Sequence, residues 1–385
     1  MDKPFGPEGI DLAYYNTLDI ESFLLMLKDP SYCYKFYWLE AIVNLISEGV
    51  EETTFNDIID EMICSAWYSV REFHIHLSGF VNGEIKDGLE NTVLKLTELS
   101  DLPSNASKVE IKNAIRKHDA ELYRTKEQLT HMVPYRAMAG FFANAGVKVN
   151  LDKVGEMPAT FEAFSRDVAV LPYTLGTSKK LAREVRFQPD WVKMIQDYTV
   201  SILGWIQYEK VKWLQNNNPE VPGLVYKLLP MDEKMRKLGK VRNLWEGVLE
   251  ICPVSDVFTG KQVAAGQYDI DHFIPWSFVM NDELWNLMPM DSSLNSSKSN
   301  RLPQWDPFFS RFADNQYVLY RLIHEKPGIH KLFEACWRDN LHSIWAGQEL
   351  YRPGNTKEEF EVILGRNMRP VYDSARRQGY EVWKM

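Results

Sequence analysis

The chain has 385 residues, of which 44 are basic and 53 acidic, giving a formal net charge of −9. That length accommodates roughly two to three domains with a sizeable core, and 45% hydrophobic with 25% charged residues is the balance of a globular chain, not a disordered one. The acidic excess argues against nucleic-acid binding by bulk attraction, and no apolar run reaches the roughly 18 residues of a membrane span, so no membrane partner is expected.

The N-terminus, Met1 to Gly9, has no basic stretch leading into an apolar one and does not read as a signal peptide. Leu39, Ile42, Val43 and Ile46 recur at helical spacing, as do Ile59, Met62, Ile63 and Ala66. Thr54 and Asp57 read as a capping box for the second of these helices. His74 and His76 alternate in a short apolar stretch with no third ligand nearby, which favours surface or structural histidines over a metal pair. Residues 108–130 read as one long charged helix. Pro134 opens another, with Gly146 as its C-cap.

Residues 151–189 change character. Val168, Val170, Leu171, Tyr173 and Val185 suggest a small strand-bearing insert with a turn around Gly176. A long helix follows from Asp190. Its Trp191, Ile195, Tyr198, Ile202 and Trp205 form a seam that is either internal core or a partner surface. Asn216-Asn217-Asn218-Pro219 stops it. Another helix, at about 232–250, carries Leu238, Val241, Trp245 and Val248. Two basic clusters stand out. One is Lys179, Lys180, Arg183 and Arg186; the other is Lys234, Arg236, Lys237, Lys240 and Arg242. Each is either a solvated face or part of a groove. Beyond Pro303 helices are expected near 307–323, 328–345 and 356–378, the last capped by Thr356 and Glu359. The 12 Trp residues fall mostly at helical core spacing and read as packing.

The four cysteines (Cys33, Cys64, Cys252, Cys336) lie far apart, which suits a reducing cytoplasm. There is no Cys-x-x-Cys pair, so no zinc is expected, and Cys252 reads as a small buried hydrophobe.

Residues 268–303 carry the chemistry. They contain the pair Asp271-His272, then Asn286, then Asn295 followed three residues later by Lys298. Cutting a phosphodiester needs a base for water and a hard cation for the phosphate charge. Histidine suits the first task. A carboxylate and a side-chain carbonyl, here Asp271 and Asn295, suit the second. Adjacent strand residues face opposite ways, so a strand must end or bend at Asp271-His272, and Pro275 agrees. Asp291, Ser292 and Ser293 are N-cap candidates for a short helix that puts Asn295, Lys298 and Ser299 on one face. Lys298 is then a candidate phosphate contact.

This Asp-His…Asn…Asn-x-x-Lys pattern resembles the HNH (ββα-metal) endonucleases, in a form similar to the HNH domain of RNA-guided CRISPR nucleases. The flanks resemble those of bacterial proteins that carry HNH domains. The resemblance implies Asp271 and Asn295 as metal ligands, His272 as general base, Lys298 at the phosphate and Asn286 as a brace for the loop carrying His272. It implies Mg2+ or Mn2+ as cofactor and DNA as substrate. The expected fold is mainly α with a small α+β (ββα-metal) unit embedded between helical segments. The expected division is 1–150, 151–250, 251–305 and 306–385. By analogy the expected role is a cytoplasmic defence effector against phage or foreign DNA, with a partner protein or self-association that activates it or delivers substrate. The alternatives are a non-catalytic helical adaptor in a larger nucleic-acid complex, or a restriction- or homing-type nuclease.

Overall fold

The computed structural model describes residues 6–7, 9–27, 30, 32–78, 80–81, 84–85, 87–146, 157–167, 171–228 and 236–385. Val168, Val170 and Lys234 lie outside them, as does the start of the helix expected from 232. The described residues fall into two compact units. One runs to Pro219 and takes in 227–228; the other comprises 220–226 and 236–385. Both are mainly helical with short strands. No helix among the described residues is long and apolar enough to cross a membrane.

In the first unit the central helix is α1 (Tyr34–Ser47). Its expected stripe of Leu39, Ile42, Val43 and Ile46 is buried, but so are Tyr37, Trp38, Ala41 and Leu45. A helix apolar on all sides belongs inside, and α1 is covered by α2 (Phe55–Phe73) and α3 (Thr199–Asn217). The Thr54–Asp57 capping box starts α2 as expected. His74 takes the left-handed position after α2 (φ 52), and burial pushes its pKa down to about 4. His76 Nδ1 lies 2.8 Å from Glu90. Both histidines are therefore parts of the fold.

Strands Tyr173–Leu175 and Glu184–Phe187 form the expected hairpin, and Glu52–Thr54 adds an antiparallel third strand to the free edge of Glu184–Phe187. Three residues carry too little alternation to show this from sequence. Two long helices turn out to be broken. Residues 108–130 form Lys108–Lys117 and Asp119–Thr130, with His118 (ψ 25) between them. The helix from 190 forms Pro189–Asp197 and α3, with Tyr198 (ψ 20) at the break. In each pair the break residue's amide still donates to the preceding turn, so apolar periodicity passes through nearly unaltered. Trp191, Ile195, Ile202 and Trp205 of the seam are buried within this unit as core, whereas Tyr198, at the break, is only half-buried.

The second unit has one continuous core. Helix α4 (Gly239–Ile251) buries Val241, Leu244, Trp245 and Val248. Strand β1 (Asp269–His272) pairs antiparallel with β2 (Leu287–Met290), in register Asp271↔Met288 and His272↔Leu287. Helix α5 (Ser292–Lys298) follows, capped by Asp291, whose carboxylate accepts from the amides of Ser293 and Leu294. The hydroxyl of Ser293 and these amides hold Asp291 below the usual carboxylate range. Three helices complete the unit: α6 (Trp305–Glu325), α7 (Pro327–Asn340) and α8 (Lys357–Arg377). Thr356 and Glu359 form the expected capping box. Helix α7 stops at Asn340, short of the expected 345. The chain end returns to the ββα segment, with Trp383 N donating to Leu302 O at 2.6 Å.

Candidate functional site

Strand β1 sorts its side chains by alternation. Ile270 and His272 are buried, whereas Asp269 and Asp271 lie on the more open face. Helix α5 lies across that open face in matching register. Asn295 Nδ2 is 3.3 Å from Asp269 Oδ2. One turn on, Lys298 Nζ donates to Asp271 Oδ2 at 2.9 Å. The helix spacing of three meets the strand spacing of two, which is why residues 24 to 29 positions apart converge here.

Asp271 and Asn295 thus border one small polar surface, with Asp269 as a third oxygen-bearing neighbour. Sequence reasoning missed Asp269. Its signal was the Asp-Ile-Asp alternation, which puts both carboxylates on one strand face. Among the described residues no group of three His, Cys, Asp or Glu has metal-holding geometry. Two carboxylates and an amide are nevertheless an all-oxygen donor set, of the kind that suits a hard divalent ion. An amide's oxygen and nitrogen are told apart only by their neighbours, so Asn295 can turn its carbonyl to a cation.

Lys298 departs from its expected role. It is fully buried, and its ammonium is spent on Asp271 and on the carbonyl of His272 at 2.7 Å. A buried ammonium requires a counter-charge, and Asp271 supplies it. The face shared by Asn295 and Lys298 is therefore turned inward onto the strand.

His272 is 2% exposed, and β1 ends at it. Its Nε2 lies 3.1 Å from the carbonyl of Asn281 and 3.1 Å from Asp282 Oδ1. The carbonyl lies on the N–H line; the carboxylate sits beside it, making an ionic approach and no hydrogen bond. A carbonyl oxygen only accepts, so Nε2 is the donor in its contact with Asn281. Burial tends to raise Asp282, but its contact with His272 and the amide of Lys237 outweighs that and holds it below the usual carboxylate range. Asn286 is fully buried: its Oδ1 accepts from Ile274 N at 2.8 Å and its Nδ2 donates to Ile274 O at 2.9 Å. It fixes the backbone two residues beyond His272.

Residues 256–304 match the family model of HNH endonucleases. The chain thus carries an HNH-family unit, built as ββα, and the match covers a minor part of its length. No curated protein and no solved structure matches the chain. The matched segment opens at Asp256. This buried carboxylate takes the amides of Phe258 and Thr259 at 3.1 and 2.8 Å and reaches Asp291 N at 3.3 Å, tying the entry loop to the α5 cap.

The basic clusters are largely neutralised. Lys180 pairs with Glu127, Arg183 with Glu162 and Arg186 with Glu52. Beside the HNH unit, Lys240 and Lys237 converge on Asp339 at 2.6 and 3.2 Å and hold its pKa down at about 2. Arg236 stacks over Trp276 at 4.7 Å. Arg242, half exposed, donates to Tyr268 O at 2.7 Å and approaches Asp269 at 3.9 Å. It is the cluster member that borders the candidate site.

Proposed function

We propose that the chain is a metal-dependent endonuclease that hydrolyses DNA phosphodiesters, nicking one strand per engagement, and acts as a cytoplasmic defence effector. The observation that carries the reading is the split environment of the Asp271-His272 pair. Asp271 lies on the open face of the strand, held by the Lys298 ammonium of α5 beside Asp269, which meets Asn295; His272 is held at Nε2, which leaves Nδ1 for the proposed base. Asp271 and Asn295, with Asp269 beside them, would hold Mg2+ or Mn2+, which neutralises charge on the phosphate when bound. His272 takes the proton of the attacking water at Nδ1, and the Asn281 carbonyl keeps Nε2 protonated throughout. Asn286 keeps the 273–274 backbone from drifting. Lys298 holds Asp271 in position. All four cysteines are free, which supports a reducing compartment.

The test is supercoiled plasmid incubated with the purified chain, with Mg2+, with Mn2+ and in EDTA. Cutting in metal, none in EDTA, and a loss of ~10²–10⁴-fold in His272→Ala are expected. Full activity in EDTA refutes the metal mechanism, and full activity of the variant refutes the base. The neutralised cations favour a second reading, a helical adaptor whose HNH unit is scaffold. That reading requires no cutting under any metal condition.

A further inference from the structure

The group that holds His272 is itself held from outside the matched segment. Asn281 and Asp282 lie in the turn after the one-turn helix Trp276–Val279, which ends at Met280 in the left-handed region (φ 55). From the N-terminal side, the amide of Lys237 donates to Asp282 Oδ2 at 2.6 Å. From the C-terminal side, Asn340 Nδ2 donates to Asp282 O at 2.8 Å and to Lys237 O at 3.0 Å. Asn340 is fully buried and is the last residue of α7. The next residues extend the grip: the amides of His342 and Ser343 donate to Glu283 at 2.7 and 3.2 Å, and Trp285 Nε1 lies 3.1 Å from Ser343 Oγ. Helix α7 ends at Asn340, whose side chain is committed to this turn.

We propose that Asn340 is a positioning residue for His272, acting through the Asp282 turn. This rests on the nuclease reading above. The chain of contacts is short: Asn340 amide, Asp282 backbone, Asn281 carbonyl and Asp282 carboxylate, His272 Nε2. The Asn340 amide satisfies two buried backbone carbonyls that would otherwise lose a partner, although Asn340 Oδ1 and Asp282 Oδ1 have no hydrogen-bond partner of their own among the described residues. Without the Asn340 amide the carbonyls of Asp282 and Lys237 both lose a donor. The turn then relaxes, and the His272 ring is no longer held in one orientation. A misplacement of about 1 Å at a reacting group can cost about 10²-fold in rate. The geometry also accounts for the helical embedding of the HNH unit: segments on both flanks close on the turn behind its base.

The experiment compares Asn340→Ala with Cys336→Ala in the full chain. Cys336 is a fully buried residue on the same helix and takes no part in the bracket. Three quantities are measured: kcat and KM for plasmid nicking, melting temperature, and the His272 ring signals after selective 15N-histidine labelling, assigned by loss in His272→Ala. Asn340→Ala should lower kcat by about 10–10²-fold with KM unchanged. It should also replace the single Nε2–H signature of His272 by a tautomer mixture. Cys336→Ala should keep kcat and the signature whatever its melting temperature. Wild-type kcat in Asn340→Ala, or an equal kcat loss in Cys336→Ala, overturns the proposal. If His272→Ala cuts as well as wild type, or if the wild type does not cut, the nuclease reading falls. The ring signals alone then decide whether Asn340 orients His272: an unchanged signature in Asn340→Ala refutes it.

Discussion

At the scale of single residues, the decisive contrast is between Lys298 and the ligands around it. A lysine three residues after an asparagine on a short helix reads as a surface cation, because sequence spacing gives the face but not what the face meets. The structure turns that face onto β1, where Asp271 takes the charge. Removing one partner of a buried ion pair typically costs about 3–5 kcal/mol. Lys298→Met should therefore lower the melting temperature sharply. A phosphate contact would instead leave stability nearly intact and reduce the slope of log affinity against log salt by about 1. Denaturation and salt titration of DNA binding in this variant separate the roles. Asp269 makes the converse point. Its alternation with Asp271 was legible, but its meeting with Asn295 was not, because nothing in the sequence sets the register of α5 on β1. Asp269→Ala should raise the Mg2+ concentration for half-maximal nicking several-fold without moving the melting temperature much, since Asp269 is partly exposed. An unchanged metal requirement would remove Asp269 from the site. Asp282 and Asn340 left no sequence signal: their roles exist only through a turn closed by residues 58 positions apart.

Among the elements, those with strong local grammar were legible. The Thr54–Asp57 and Thr356–Glu359 capping boxes and the apolar stripe of α4 stand where expected. Breaks at His118 and Tyr198 were not, since a one-residue interruption barely disturbs a period of 3.6. The buried seam predicts the outcome of two substitutions. Ile202→Ala, in the core, should cost about 2–5 kcal/mol. Tyr208→Ser, on the exposed side of α3, should cost far less, and chemical denaturation measures both. A seam that served as a partner surface would give the reverse order of sensitivity in the isolated chain. Lys227, at the end of the short turn Leu224–Lys227, adds a pH dependence. Burial lowers its pKa from 10.5 to about 7. Between those values the unfolded chain binds the extra proton, so Lys227 contributes a stability that rises with pH from about 7 to 10.5. Lys227→Met should flatten that rise, and urea midpoints of both proteins at pH values across this window test it.

For the whole molecule, charge and the count of active centres govern behaviour. Among the described residues, Lys180, Arg183, Arg186, Lys237 and Lys240 of the candidate basic clusters are tied to Glu127, Glu162, Glu52 and Asp339, so they add little free positive charge to a net charge of −9. Counter-ion release therefore contributes little, and affinity for DNA alone should be weak and only shallowly dependent on salt. A partner that brings DNA, or a second copy, would supply what this surface lacks. On the proposed reading one HNH unit offers a single base, His272, and a single set of oxygen donors, so one engagement should break one strand. On chain confirmed as monomeric by sedimentation, a plasmid time course should show nicked circles accumulating well before linear product. Raising the chain concentration should shorten the interval between the two, because the second cut needs a second visit. Linear product at the earliest times, with no nicked intermediate and no concentration dependence, would mean that a single chain delivers two cuts per engagement and would overturn the single-site reading.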